Sequence, residues 1–383
     1  MNQRYYSLDV FRGATVALMI LVNNPGSWSH MFDPLAHAKW NGCTPTDLVF
    51  PFFLFAVGNA LGFVMPRLET APRSTVLGKI FKRTLLIFAI GIFLNWAPFV
   101  RWQGEELVSR PFETLRFMGV LQRIALSYCF AALIVYFFKV RGAFVISGLI
   151  LLGYWFLCLA FGNPADPYSL EGFFGTGLDR RLLGENHLYK GEGVPFDPEG
   201  LASTLPAIVQ VIFGYFVGRY IQTKGKNFEM LSNLFVAGCV LIFTGFCWDL
   251  VFPINKKIWT SSYVCYTTGL AMMVIGVMIY LIEFREYKGA WSKFFAVFGM
   301  NPLFIFVLSG FLPRVQGLIR WVDHIGANGK PVYTSPFSWF YEHICKPVSP
   351  KLETGSFLYA LCMIVFYWLI VWWMDKRKIY IKV

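Results

Sequence analysis

Long apolar runs separated by short polar, often basic, stretches give this chain its pattern. They lie at about 9–28, 46–66, 80–99, 117–138, 142–162, 204–222, 231–248, 262–283, 294–312 and 356–374. Each is close to the ~20 residues that carry a helix across roughly 30 Å of hydrocarbon. The pattern predicts an all-α, polytopic membrane bundle of about ten transmembrane helices, built as one domain over 1–383. The first run opens on Asp9 and Arg12 without a basic leader and a small-residue cleavage site, so it reads as a retained span rather than a signal peptide. Five hairpins of similar size follow from this spacing, but the residues themselves carry no repeat.

Composition agrees with that class. Of 383 residues, 56% are hydrophobic and only 15% charged, with a mean hydropathy of +0.53, well above a soluble domain. If the N-terminus is cytoplasmic, the segments on its side hold 19 of the 34 Lys and Arg but only 6 of the 22 acidic residues. The positive-inside rule therefore puts both termini in the cytoplasm. It also accounts for the net charge of +12, because short basic turns face anionic lipid headgroups; no nucleic-acid partner is needed. Long exterior loops are expected at 163–203 and 313–355, where a functional cap is often built. The eight cysteines contain no C-x-x-C pattern, and only Cys43, Cys345 and Cys265 are placed to meet an oxidising compartment.

Polar residues at membrane depth require a reason. Asp9 and Arg12 stand three apart on one helix face, so they either pair with each other or bind a ligand. Asn23 and Asn24 precede Pro25-Gly26, which ends the first helix as a plain stop or as a broken helix end at a binding site. Arg123, about a turn and a half into the fourth run, needs a partner, a wet cavity or an anionic ligand. Asn301-Pro302 interrupts the ninth run and frees carbonyls that must be satisfied elsewhere. His37 and Asp47 lie in His37-Ala38-Lys39-Trp40-Asn41-Gly42-Cys43-Thr44-Pro45-Thr46-Asp47-Leu48-Val49-Phe50-Pro51, at the mouth of the second run. The loop stretch Asp179–Tyr189, followed by Phe196–Gly200, reads alone as a solvated loop held by ion pairs. No P-loop, dinucleotide fingerprint, H-E-x-x-H or G-x-S-x-G motif occurs, and the five histidines are scattered; no metal is expected.

The order of Ser7–Gly13, the His37–Pro51 block, Gly119–Arg123, Asp179–Tyr189, Phe196–Gly200, Pro253–Trp259 and Gly299–Asn301 resembles the heparan-α-glucosaminide N-acetyltransferase family along nearly the whole chain. That family's lysosomal member moves an acetyl group from cytosolic acetyl-CoA across the membrane to a terminal glucosamine amine. The resemblance implies a transmembrane acyltransferase with acetyl-CoA as donor and an amino sugar or glycan fragment as exterior acceptor. It puts His37 at the active-site histidine, Asp47 at the aspartate opening the next span, and Asn23 at the catalytic asparagine. The stretch from Asn23 to His37 is longer than in the lysosomal enzyme, which leaves Asn24 as the alternative. That enzyme's extra N-terminal lumenal domain and preceding span are expected to be missing.

With the family in view, Arg12 and Arg123 become the cations for coenzyme A phosphates. Trp40, Asp179, Glu185, His187 and Glu199 become acceptor-binding residues, with Tyr189 and Trp259 available to stack on a sugar. His37 can serve as general base or attack the thioester itself, Asp47 can orient the ring, and the asparagine amide can donate to an oxyanion. By analogy the chain suits a bacterial inner membrane, with membrane lipid around it and a homodimer among the assemblies the sequence allows. The rival reading is a carrier that moves an amino sugar inward without acyl transfer.

Overall fold

The computed structural model describes residues 5–327 and 329–381. Helices dominate: α1 (Tyr6–Asn23), α2 (Val49–Leu68), α3 (Arg73–Trp96) and α4 (Val120–Phe161), then a short α5 (Phe174–Leu183). They continue with α6 (Leu201–Lys224), α7 (Phe228–Asp249), α8 (Ser261–Ile279), α9 (Ala290–Met300), α10 (Pro302–Gln316), a five-residue α11 (Pro336–Phe340) and α12 (Leu352–Lys376). The expected all-α membrane bundle is what the chain forms.

Among the described residues, seven helices are long and apolar enough to cross a membrane, or eight if the bent pair α9–α10 counts as one span. The ten apolar runs differ from that number for two physical reasons. In α3, Lys79, Lys82 and Arg83 occupy the first half, and the uncharged stretch after them ends at Trp96, short of a full span. The runs at 117–138 and 142–162 are two helical legs that follow one another without a break across Lys139, so that Val120–Phe161 counts once as α4. Extended at about 1.5 Å per residue, α4 would be roughly twice the thickness of the hydrocarbon. Instead Lys139 adopts φ 55° and the chain doubles back. Arg123 on the first leg lies over Trp259, while Tyr154 on the second donates to the Ile258 carbonyl, so both legs begin and end at one face.

That face, the site face, gathers the connections at 24–48, 97–119, 162–200, 250–260 and 317–351. The opposite face carries both described chain ends, since Arg12 donates to the Gly299 carbonyl and the Asn301 amide donates to Ile379 and accepts from Ile381. The break at Asn301-Pro302 bends α9 against α10 by 80°; Arg12 meets the Gly299 carbonyl there, and the Asn301 side chain holds the C-terminal segment.

Small residues set one of the close helix contacts. Gly58-x-x-x-Gly62 on α2 faces Gly214-x-x-x-Gly218 on α6. A side chain at Gly58 would run into the Val211 carbonyl, and one at Gly214 into that of Phe55. Where lipid tails are as apolar as leucine, such backbone approach supplies the dispersion and weak polar contacts that hold helices together. Two small hairpins, β1 (Val100–Gln103) with β2 (Glu106–Ser109) and β3 (Trp321–Ile325) with β4 (Pro331–Thr334), dock on the site face. Arg320 is stacked between Trp102 and Tyr333, 3.8 and 4.1 Å from the ring centres.

Candidate active site

The segment before α2 folds around one carboxylate. Thr44-Pro45-Thr46-Asp47 makes a single tight turn, and Asp47 Oδ2 accepts from the Thr44 amide (3.0 Å), the Thr44 hydroxyl (3.1 Å) and the Ala38 amide (3.1 Å). Its other oxygen, Oδ1, lies 2.6 Å from His37 Nδ1. From below, Tyr263 of α8 donates to the Asp47 carbonyl at 2.6 Å. An Asp so fully engaged and only 1% exposed is held for a purpose beyond ending a helix.

A carboxylate only accepts, so Nδ1 of His37 carries a proton, and in the neutral ring the lone pair is on Nε2. Lys256 Nζ stands 3.1 Å from Nδ1 and 3.4 Å from Asp47 Oδ1; with the Nδ1 proton directed at Asp47, the ammonium addresses the carboxylate. Burial pushes the Lys256 amine below its ordinary range while Asp47 pulls it back. Nearby Cys43 is driven the other way: burial, with the Asp47 charge, lifts its thiol to about 12, which leaves it protonated and a poor nucleophile.

The loop bearing Lys256 is pinned to the His37 loop. Gly42 donates to the Ile254 carbonyl at 2.7 Å, Asn255 donates to the Asn41 side chain, and Lys257 reaches the Lys39 carbonyl (2.8 Å) and Glu192 (2.6 Å). Gly42 adopts φ +107° there, a conformation that side-chain-bearing residues rarely take.

These residues open onto a cavity of about 290 Å³ whose lining includes Asn23, His37, Trp40, Asp47, Glu199 and Lys256. Asn23 faces it, whereas the Asn24 amide is turned back onto the Ile20 carbonyl. Trp40 donates its indole N–H to the Tyr168 carbonyl at 2.8 Å and packs on Phe196. Tyr189, Trp259 and Arg116 complete the wall. Arg116 bridges Asp197 (2.6 Å) and Glu199 (2.5 Å) and lies over Tyr189. Burial opposes its charge, but the two acids more than offset that and raise it above its ordinary value.

The remaining expected residues lie elsewhere. Arg123 is fully buried beneath the cavity, over Trp259, donating to Ser203 Oγ and the Gly200 carbonyl. Arg12 is at the opposite end of the bundle, 3.6 Å from Asp9, so the two arginines are not brought together. Asp179 accepts from the Leu201 amide at the start of α6, and burial, reinforced by Asp197 against the Leu201 bond and Arg123, raises it to about 7. Glu185 is exposed. His187 donates to the Leu115 carbonyl and stacks on Phe117 at 4.0 Å. Lys256, Lys257, Glu192 and Arg116 carry no role in the sequence reading, although Lys256 and Lys257 stand in the Pro253–Trp259 stretch that carries part of the resemblance.

A second cavity of about 320 Å³ is lined by Arg12, Arg83, Tyr128, Met300 and Pro302, and it shares Phe53 and Ile124 with the first. The two therefore meet at these side chains.

Fold and site together define a polytopic helical membrane protein with a carboxylate-anchored histidine in a cavity on one face. No family model matches the chain. It is 28% identical to the heparan-α-glucosaminide N-acetyltransferases of Mus musculus and Homo sapiens, over 79% of this chain and 53% and 52% of theirs. That similarity supports the family relationship implied by the order of the motifs. The chain spans about half the length of these curated relatives.

Proposed function

We propose that the chain is a membrane acyltransferase that moves an acetyl group from acetyl-CoA to the amine of an amino sugar. The observation that carries this reading is His37, which lines the cavity with Nδ1 held on Asp47, so that Nε2 is the ring nitrogen available for chemistry. The names of the two relatives supply the reaction class and the amino-sugar acceptor.

Two routes use the same side chains. In one, Nε2 takes the proton from the acceptor amine as that nitrogen attacks the thioester carbonyl, and the C–S bond breaks with departure of the coenzyme A thiolate. In the other, Nε2 itself attacks the thioester and releases the thiolate. The amine then displaces the imidazole from the acetyl group and gives up its proton. In both, Asp47 stabilises positive charge on the ring, and the Asn23 amide is positioned to donate to the developing oxyanion.

The second cavity fits the donor. Arg12 and Arg83 provide cations for phosphate, and the apolar walls around Phe53 and Ile124 suit the thioester-bearing arm reaching toward His37. With the basic turns on the cytoplasmic side, donor and acceptor approach from opposite faces. Arg123 then serves the acceptor side, holding the start of α6 and its acids.

Purified protein in detergent, incubated with acetyl-CoA and glucosamine, should bind coenzyme A and form N-acetylated sugar detectable by mass spectrometry. Sugar uptake into proteoliposomes with neither coenzyme A binding nor product would replace this reading with the carrier.

A further inference from the structure

A groove of about 880 Å³ opens between the second leg of α4, α6 and α7, away from the active-site cavity. Its floor and walls are apolar: Phe144, Val145, Phe216, Leu234, Ala237 and Met272. Its polar residues gather at one end. Arg141 lies just past the Lys139 reversal, while Arg219 and Thr223 are on the last turns of α6. Asn233 joins them, donating to the Tyr220 hydroxyl at 2.9 Å. Cations therefore cluster on the basic face, and the apolar part extends toward mid-membrane.

We propose that this groove is a binding site for an anionic phospholipid, with the headgroup phosphate at Arg141 and Arg219 and acyl chain along Phe144, Phe216 and Met272. Charge decides the occupant. The acids at this end are Glu69, 4.0 Å from Arg219 Nη1 and 3.4 Å from Lys139, and Glu229, 3.0 Å from Lys224, so two carboxylates stand against the four cations Lys139, Arg141, Arg219 and Lys224. The Arg219 side chain is 34% exposed, which leaves its guanidinium within reach of a phosphate oxygen in the groove. Phe144 and Val145 are 67% and 58% exposed, as expected of walls that lipid rather than protein covers. A second copy docked symmetrically would bring like cations face to face, which favours a lipid.

The test is native mass spectrometry of the whole purified protein, with a phosphatidylglycerol and a phosphatidylcholine of identical chains. Phosphatidylglycerol should be retained about thirty-fold more strongly, the weight of two basic side chains near an anionic lipid. The double variant Arg141→Gln/Arg219→Gln should lose that preference, Arg141→Lys/Arg219→Lys should keep most of it, and Ala237→Trp should reduce retention of both lipids. Equal retention of the two lipids by the wild type, or a preference unchanged in the Gln variant, would overturn the site. So would disulfide crosslinking of two copies through Thr223→Cys.

Discussion

His37 and Asp47 are ten positions apart, and a single turn closed by Thr44 brings them to 2.6 Å. That pairing was legible because both residues lie in one short block. Lys256, more than 200 positions further on, was not, since only the docking of the 250–260 turn against Gly42 carries it there. Asp47→Asn should lower kcat by roughly 10²–10⁴-fold in the protein that remains folded, as expected when a ring loses its orienting carboxylate, and should also lower the melting temperature because the buried contact with Lys256 loses its charge. Asn23→Ala should cost about 10²–10³ in kcat by steady-state assay, whereas Asn24→Ala should leave kcat near wild type because its amide serves the helix end. Asp179 gives a pH signature. Its carboxyl rises from 3.8 to about 7 on folding, so its ionisation costs stability progressively between those values and fully above about pH 7. Asp179→Asn keeps an oxygen for the Leu201 amide, and its thermal midpoint should gain on wild type as pH rises from 4 to 7. A constant difference across that range would contradict the assignment.

At the scale of elements, hydrophobic run length located the helices well because a bilayer demands that length of nearly every span. It marked the two legs of α4 as separate runs but not the unbroken reversal at Lys139 that joins them, since that depends on a single backbone conformation. Nor did run length expose the α2–α6 contact, although Gly58-x-x-x-Gly62 and Gly214-x-x-x-Gly218 stand in the sequence. Gly58→Leu should push the helices apart and destabilise the bundle by about 1–3 kcal/mol, read as a lower melting temperature in detergent. The two site-face hairpins lie outside the spans, where short strands leave no hydropathy signal.

Across the whole molecule, two cavities approach from opposite faces and meet at Phe53 and Ile124. If the acyl arm passes there, Phe53→Trp should depress transfer while leaving coenzyme A binding within a few-fold of wild type, a split that calorimetry beside turnover would reveal. The sequence carried the class through its apolar runs, and its charge asymmetry predicts cytoplasmic termini. The separation of Arg12 from Arg123 was hidden, because which end of a helix an arginine occupies depends on where the chain enters. The most direct measurement is transfer of radiolabelled acetyl from acetyl-CoA to glucosamine by wild type and His37→Ala, counting label in sugar and in protein. Labelled sugar from wild type and a loss of at least about 10² in His37→Ala is the predicted result, with protein label marking the covalent route. Equal transfer by both proteins would contradict the account.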